Sequence, residues 1–99
     1  MKIVTICGSI RYSKEMIKIS KKLELDYNYA VIQCVYNGST QKYNETDINN
    51  LTRIHRKKID ISDAIYVVNI DGYIGDGTRK EIEYALIKGK EILYHESIV

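Results

Sequence analysis

Two hydrophobic periodicities take turns along the chain, and their alternation constrains the fold more than any other feature. Lys2–Cys7 (KIVTIC) is a short β-branched run stopped by Gly8, the pattern of a strand covered on both faces. Ser13–Leu25 follows with Met16, Ile19 and Leu23 at helical spacing and lysines opposite; Ser13 is a suitable N-cap and Glu15 lies in the first turn. Ala30–Val35 (AVIQCV) is a second strand, and the polar stretch Tyr36–Thr46, with Gly38, is a loop or lid. Thr46 or Asp47 then caps a second helix that carries Ile48, Leu51, His55 and Ile59 on one stripe. Ala64–Asn69 (AIYVVN) is the third and most apolar strand. A glycine-rich turn, Ile70–Gly77, leads into a helix over Thr78–Lys88 that Gly89 ends at C′, and Glu91–Tyr94 is the last strand. Strands and helices alternating in this way within 99 residues imply a parallel sheet with helices on both faces. Strand order 2-1-3-4 is the simplest right-handed path, so the expectation is a small Rossmann-like α/β layer forming a single domain over residues 1–99.

Composition narrows the function classes. Hydrophobic residues make up 44% and charged residues 28%, an ordinary globular balance that argues against a disordered tail. The longest apolar run is only about five residues, too short to span a bilayer. The opening MKIVTICGSI lacks the apolar length and small-residue cleavage site of a signal peptide, so the expected location is the cytoplasm. Net charge is +2 with both signs interspersed, which disfavours nucleic acid as partner. The short cluster His55-Arg56-Lys57-Lys58 reads as a solvated helix face in preference to a phosphate-tracking patch. Cys7 and Cys34 sit inside apolar segments, as buried reduced thiols rather than a disulfide or a metal site.

In such sheets, ligands bind at the carboxyl ends of strands where the strand order reverses. Between strands one and three that crevice is lined by Gly8-Ser9-Ile10-Arg11 and by the turn from Asp71 through Gly75, Asp76 and Gly77 to Thr78. Glycines let backbone N–H groups approach an anion, and the N-terminus of the third helix adds free donors. Arg11 offers a fork to phosphate or carboxylate. Asp71 and Asp76 are either ribose or base contacts or surface loop aspartates. Glu81 has two readings. Thr78-Arg79-Lys80-Glu81 fits a capping box in which the glutamate returns to the Thr78 N–H. Alternatively its carboxylate faces the crevice, as nucleophile or stabiliser at a sugar carbon.

The strings GSIR, IHRKKIDISDAIYVVN, GYIGDGTRKEIEYA and GKEILY together resemble the nucleoside 2-deoxyribosyltransferase family, which includes the 2′-deoxynucleoside 5′-monophosphate N-glycosidases. The resemblance covers the chain apart from the lid and is strongest from Ile54 to Tyr94. It implies a flavodoxin-like sheet, a homodimer or higher homo-oligomer with composite sites, a nucleoside or nucleotide substrate, and no metal or organic cofactor. By that resemblance Glu81 is the nucleophile at C1′. Gly8, Ser9, Ile10 and Arg11 form the first substrate loop, and Gly75 and Gly77 lie near the sugar or 5′-phosphate. Thr5 stands where members often carry a tyrosine that orients the glutamate, and His55 where they often carry an aspartate. His55 is therefore either a hydrogen-bonded core histidine or an acid or base toward the leaving group. Asp63, at the amino end of strand three, is structural, for instance capping the preceding turn, and Tyr43 of the lid is a candidate to close the pocket.

Three rival readings remain beside this enzyme. One is a non-catalytic module that binds or senses a nucleotide on the same fold. Another rests on Gly75-Asp76-Gly77-Thr78-Arg79-Lys80-Glu81, which is similar to a string in larger phosphoribohydrolases acting on nucleotide monophosphates. Nucleic-acid binding ranks last.

Overall fold

The computed structural model describes residues 1–36 and 42–97. Four strands, β1 (Ile3–Gly8), β2 (Ala30–Ile32), β3 (Ala64–Val68) and β4 (Glu91–Tyr94), form one parallel sheet in the order β2-β1-β3-β4. Helices α1 (Ser13–Tyr27), α2 (Glu45–Asp60) and α3 (Asp76–Ile87) connect them. The α/β architecture and the strand order are those expected from the alternating periodicities.

Alternation along the central strands sets the two faces. Ile6 and Val68 pack with Met16 of α1 on one side. Cys7, Ile65 and Val67 pack with Ile59 of α2 and Ala85 of α3 on the other. Both faces are covered, which is why these strands carry no polar alternation. Gly8 lets the layers approach: a Cβ there would lie 3.1 Å from Met16 Sδ and 3.2 Å from Val68 Cβ. Thr5 is buried among apolar neighbours because its hydroxyl is bonded, 2.6 Å from Ser62 Oγ and 3.1 Å from the Lys58 carbonyl, which it donates to.

Element ends differ from expectation for identifiable reasons. Ser13 is not an N-cap, because a 3₁₀ turn over Ile10–Tyr12 precedes it and Ser9 caps that turn, accepting from the Arg11 N–H. The helix α1 runs on to Tyr27 and closes on Asn28 in the left-handed region, at φ 58°. Neither Thr46 nor Asp47 caps α2. Asn44 does, with Asp47 at the third helical position returning a bond to the Asn44 N–H in a capping box. β2 stops at Ile32, three residues before the expected Val35, since its pairing with β1 ends at the Thr5–Ile32 position. Part of the expected lid, residues 37–41 with Gly38, lies outside the described residues. Asp63 accepts a 2.8 Å bond from the Ile3 N–H, so it anchors the start of β1 rather than capping the turn before it.

The Thr78–Glu81 capping box, one of the two readings of Glu81, does not form. Helix α3 begins at Asp76 with Gly75 as N-cap, two residues before Thr78, so Glu81 lies inside the helix. Its side chain is thereby released from the cap. Gly89, at φ 71°, takes the left-handed C′ position after α3 as expected. Among the described residues no helix is long and apolar enough to cross a membrane.

Candidate functional site

β1 outruns β2: its pairing with β3 continues through Cys7–Val67 and Gly8–Val68, beyond the last β2 partner at Thr5. The chain after Ile32 leaves the ladder, and Cys34 and Val35 wall a cleft of about 770 Å³ over the carboxyl end of β1. This lies beside the strand-order reversal, the position that open parallel sheets use for ligands. The volume is within the range that encloses small molecules.

Three segments close the cleft. One is Gly8 at the end of β1 with Ser9 and Ile10 after it; another is Tyr73 and Gly75 ahead of α3 with Asp76, Gly77 and Thr78 in its first turn; the third is α2, whose wall includes Ile48, Leu51 and Ile54. Of the residues expected at a ligand, Gly8, Ser9, Ile10, His55, Gly75, Asp76, Gly77, Thr78 and Glu81 all border this space. Arg11 and Asp71 do not. Arg11 turns its guanidinium onto the face of Tyr73, 4.2 Å from the ring centroid, and so braces a cleft residue from outside. Asp71 sits at φ 56°, where its N–H donates to Glu96 Oε2 at 2.9 Å. Tyr43 borders the cleft.

No side chain caps α3, because Gly75 has none to offer. Asp76, Gly77 and Thr78, whose N–H groups have no partner within the helix, border the cleft at the positive end of the helix dipole. That end of the cleft suits an anion. Lys58 and Lys80 also border the space.

The floor is polar and tightly connected. Helices α2 and α3 both cross over β1, bringing His55 and Glu81 together above Cys7. His55 Nε2 is 3.0 Å from Glu81 Oε2 and 3.4 Å from Cys7 Sγ. The His55 side chain is 11% exposed and that of Glu81 26%, so the imidazole is enclosed while the carboxylate still reaches the cleft. Burial pushes the Cys7 thiol well above its ordinary pKa, and the neighbouring Glu81 carboxylate pushes in the same direction. Cys7 is therefore a neutral thiol at neutral pH. Both contacts of His55 use one nitrogen. A nucleophilic triad needs opposite ring nitrogens for nucleophile and orienting acid, so the trio is not a cysteine–histidine–carboxylate relay.

Cys7 is the site residue the sequence reading missed. Its inward position in β1 is legible from the alternation, but not that two helices would set His55 and Glu81 over it. Thr5, the position expected to substitute for an orienting tyrosine, instead bonds the end of α2, and the strand-one side chain beside Glu81 is Cys7.

No protein-family model and no curated sequence matches the chain. In three dimensions it is similar to a 2-deoxyribosyltransferase from the psychrotolerant bacterium Bacillus psychrosaccharolyticus, described as a biocatalyst for nucleoside synthesis. The TM-score is 0.68 over 98% of this chain and 77% of that one, at 16% identity. A likeness at that identity is a likeness of fold.

Proposed function

We propose that the chain cleaves or transfers the N-glycosidic bond of a deoxynucleoside, nucleoside or nucleoside 5′-monophosphate, with Glu81 as nucleophile. The observation that carries this reading is the Glu81 carboxylate, freed from capping and held by His55 at 3.0 Å on the floor of an open cleft. The fold it shares with a 2-deoxyribosyltransferase supports the same class of chemistry.

In this reading the His55 bond engages Oε2, leaving Oε1 to attack C1′ of the sugar. The C1′–N bond breaks, its electron pair leaves with the base, and the base takes up a proton. A covalent glycosyl ester of Glu81 results. Water or a second base then attacks C1′ and gives up a proton to solvent, the ester C–O bond breaks, and the carboxylate is regenerated. A 5′-phosphate or sugar edge rests on the first-turn N–H groups of α3 beside Gly75 and Gly77, with Ser9 on the facing loop. Tyr43 and Tyr73 provide aromatic walls for the base. The reading also includes a second copy of the chain. Ile48 and Ile54 on the cleft wall are 53% and 50% exposed, an apolar edge suited to cover by a partner protomer.

The test is base release from a panel of nucleosides, deoxynucleosides and their monophosphates, followed by chromatography. Glu81→Gln is expected to keep the fold and lose at least about 10³-fold in turnover, roughly 4 kcal/mol of barrier. Undiminished turnover in that variant removes Glu81 as nucleophile. Saturable binding without base release by the unaltered protein makes the chain a nucleotide-binding module instead.

A further inference from the structure

Cys7, His55 and Glu81 come from three separate elements, yet Sγ, Nε2 and a carboxylate oxygen all lie within 4.8 Å of one another. One imidazole nitrogen carries at most one proton, so it cannot make full hydrogen bonds to both Sγ at 3.4 Å and Oε2 at 3.0 Å. Three ligand-type atoms gathered this closely are a donor set able to hold a cation. In a tetrahedral zinc site, with sulfur at ~2.3 Å and nitrogen and oxygen at ~2.0–2.1 Å, the ligand atoms stand on the order of 3.3–3.6 Å apart. The nitrogen–sulfur separation already falls in that interval and the nitrogen–oxygen one needs to open by only a few tenths of an ångström, while sulfur and oxygen stand within 4.8 Å and would have to draw together on binding.

We propose that Cys7, His55 and Glu81 form a three-ligand site for a zinc-class divalent cation, with the fourth position open to the cleft. The donor set selects the ion: a thiolate and an imidazole beside one carboxylate suit Zn²⁺ and reject Mg²⁺ and Ca²⁺, which take oxygen. Binding releases the Sγ proton to solvent. The imidazole binds neutral, with its proton on Nδ1 and the Nε2 lone pair on the ion. Access is through the cleft, since Glu81 is the most exposed of the three and Cys7 is 1% exposed. An ion here draws the Glu81 carboxylate away from C1′, so the site is a brake on the reaction. That consequence, unlike the binding itself, rests on the function proposed above.

The test uses chelator-treated protein titrated with Zn²⁺ by calorimetry and with Co²⁺ by absorption. One ion per chain, a thiolate-to-cobalt charge-transfer band and no heat with Mg²⁺ are expected. Cys7→Ser is expected to abolish the band, and both it and Glu81→Gln to weaken Zn²⁺ binding at least about tenfold. Far-UV circular dichroism verifies the fold of each variant; if Cys7→Ser does not fold, the partly exposed Glu81→Gln alone decides. Cys34→Ser is expected to retain band and affinity. Absence of Zn²⁺ binding, or binding lost in Cys34→Ser but kept in Cys7→Ser, overturns the site. Base release measured in chelator keeps the two claims apart. Zn²⁺ binding with no base release preserves the metal site and removes the reaction, whereas Glu81-dependent base release without Zn²⁺ binding does the reverse.

Discussion

Replacing His55 by alanine removes the side chain that joins α2 to both β1 and α3 on the cleft floor. The lost bond to Glu81 costs about 1 kcal/mol, because the carboxylate is partly open and water takes the vacated place. Deleting an imidazole that is only 11% exposed adds the loss of packing, at the low end for core truncations because the ring is polar, about 1–2 kcal/mol. The sum is about 2–3 kcal/mol, a drop of roughly 10–20 °C in melting temperature for a domain of this size. Urea denaturation followed by circular dichroism measures it. A double-mutant cycle with Glu81→Gln isolates the pair, and a coupling of about 0.5–1 kcal/mol is expected. In turnover, His55 acts through Glu81 as a positioning residue, so His55→Ala lowers kcat about 10²-fold while KM changes little. Additivity within about 0.3 kcal/mol, or a loss confined to KM, refutes the assignment.

Two further outcomes follow from the packing and the phenols. Gly8→Ala is expected to cost about 1–3 kcal/mol, since the methionine end can yield but Val68 Cβ, 3.2 Å away, cannot; a neutral substitution in the same urea assay contradicts the close approach. Burial pushes the phenols of Tyr36 and Tyr66 up from their ordinary value of 10. The fold keeps these protons where the unfolded chain releases them, so the stability they confer is complete below about pH 10 and falls as pH rises above it. Urea midpoints between about pH 8 and pH 11 should show this limb, shallower in Tyr66→Phe; an unchanged slope in that variant contradicts it.

The sheet was legible because burial on both faces and helical spacing leave different marks, and the right-handed path leaves few orders for four strands. Helix starts were less so. The glycines of Gly75-Asp76-Gly77 look like turn residues, yet Gly75 caps the helix and Gly77 lies within it. That shift of two residues converts Glu81 from a capping side chain into one that meets His55. Asn44 does not stand out from Thr46 and Asp47 in sequence, because the polar stretch holds several residues able to cap. Loop direction left no mark at all. Nothing local shows that Arg11 would lie on Tyr73 or that Asp71 would turn to Glu96. Cys7 is readable as a core residue and unreadable as a site residue, since its neighbours come from helices far along the chain.

The claim on which the mechanism stands is that the sugar passes through Glu81. Protein mixed with a deoxynucleoside 5′-monophosphate or deoxynucleoside that it turns over, stopped by denaturation and weighed by mass spectrometry, tests this directly. The expected result is an added mass of one sugar unit, mapped by peptide fragmentation to Glu81. Base released with the sugar attached to no residue, or an adduct carried by any other side chain, contradicts it.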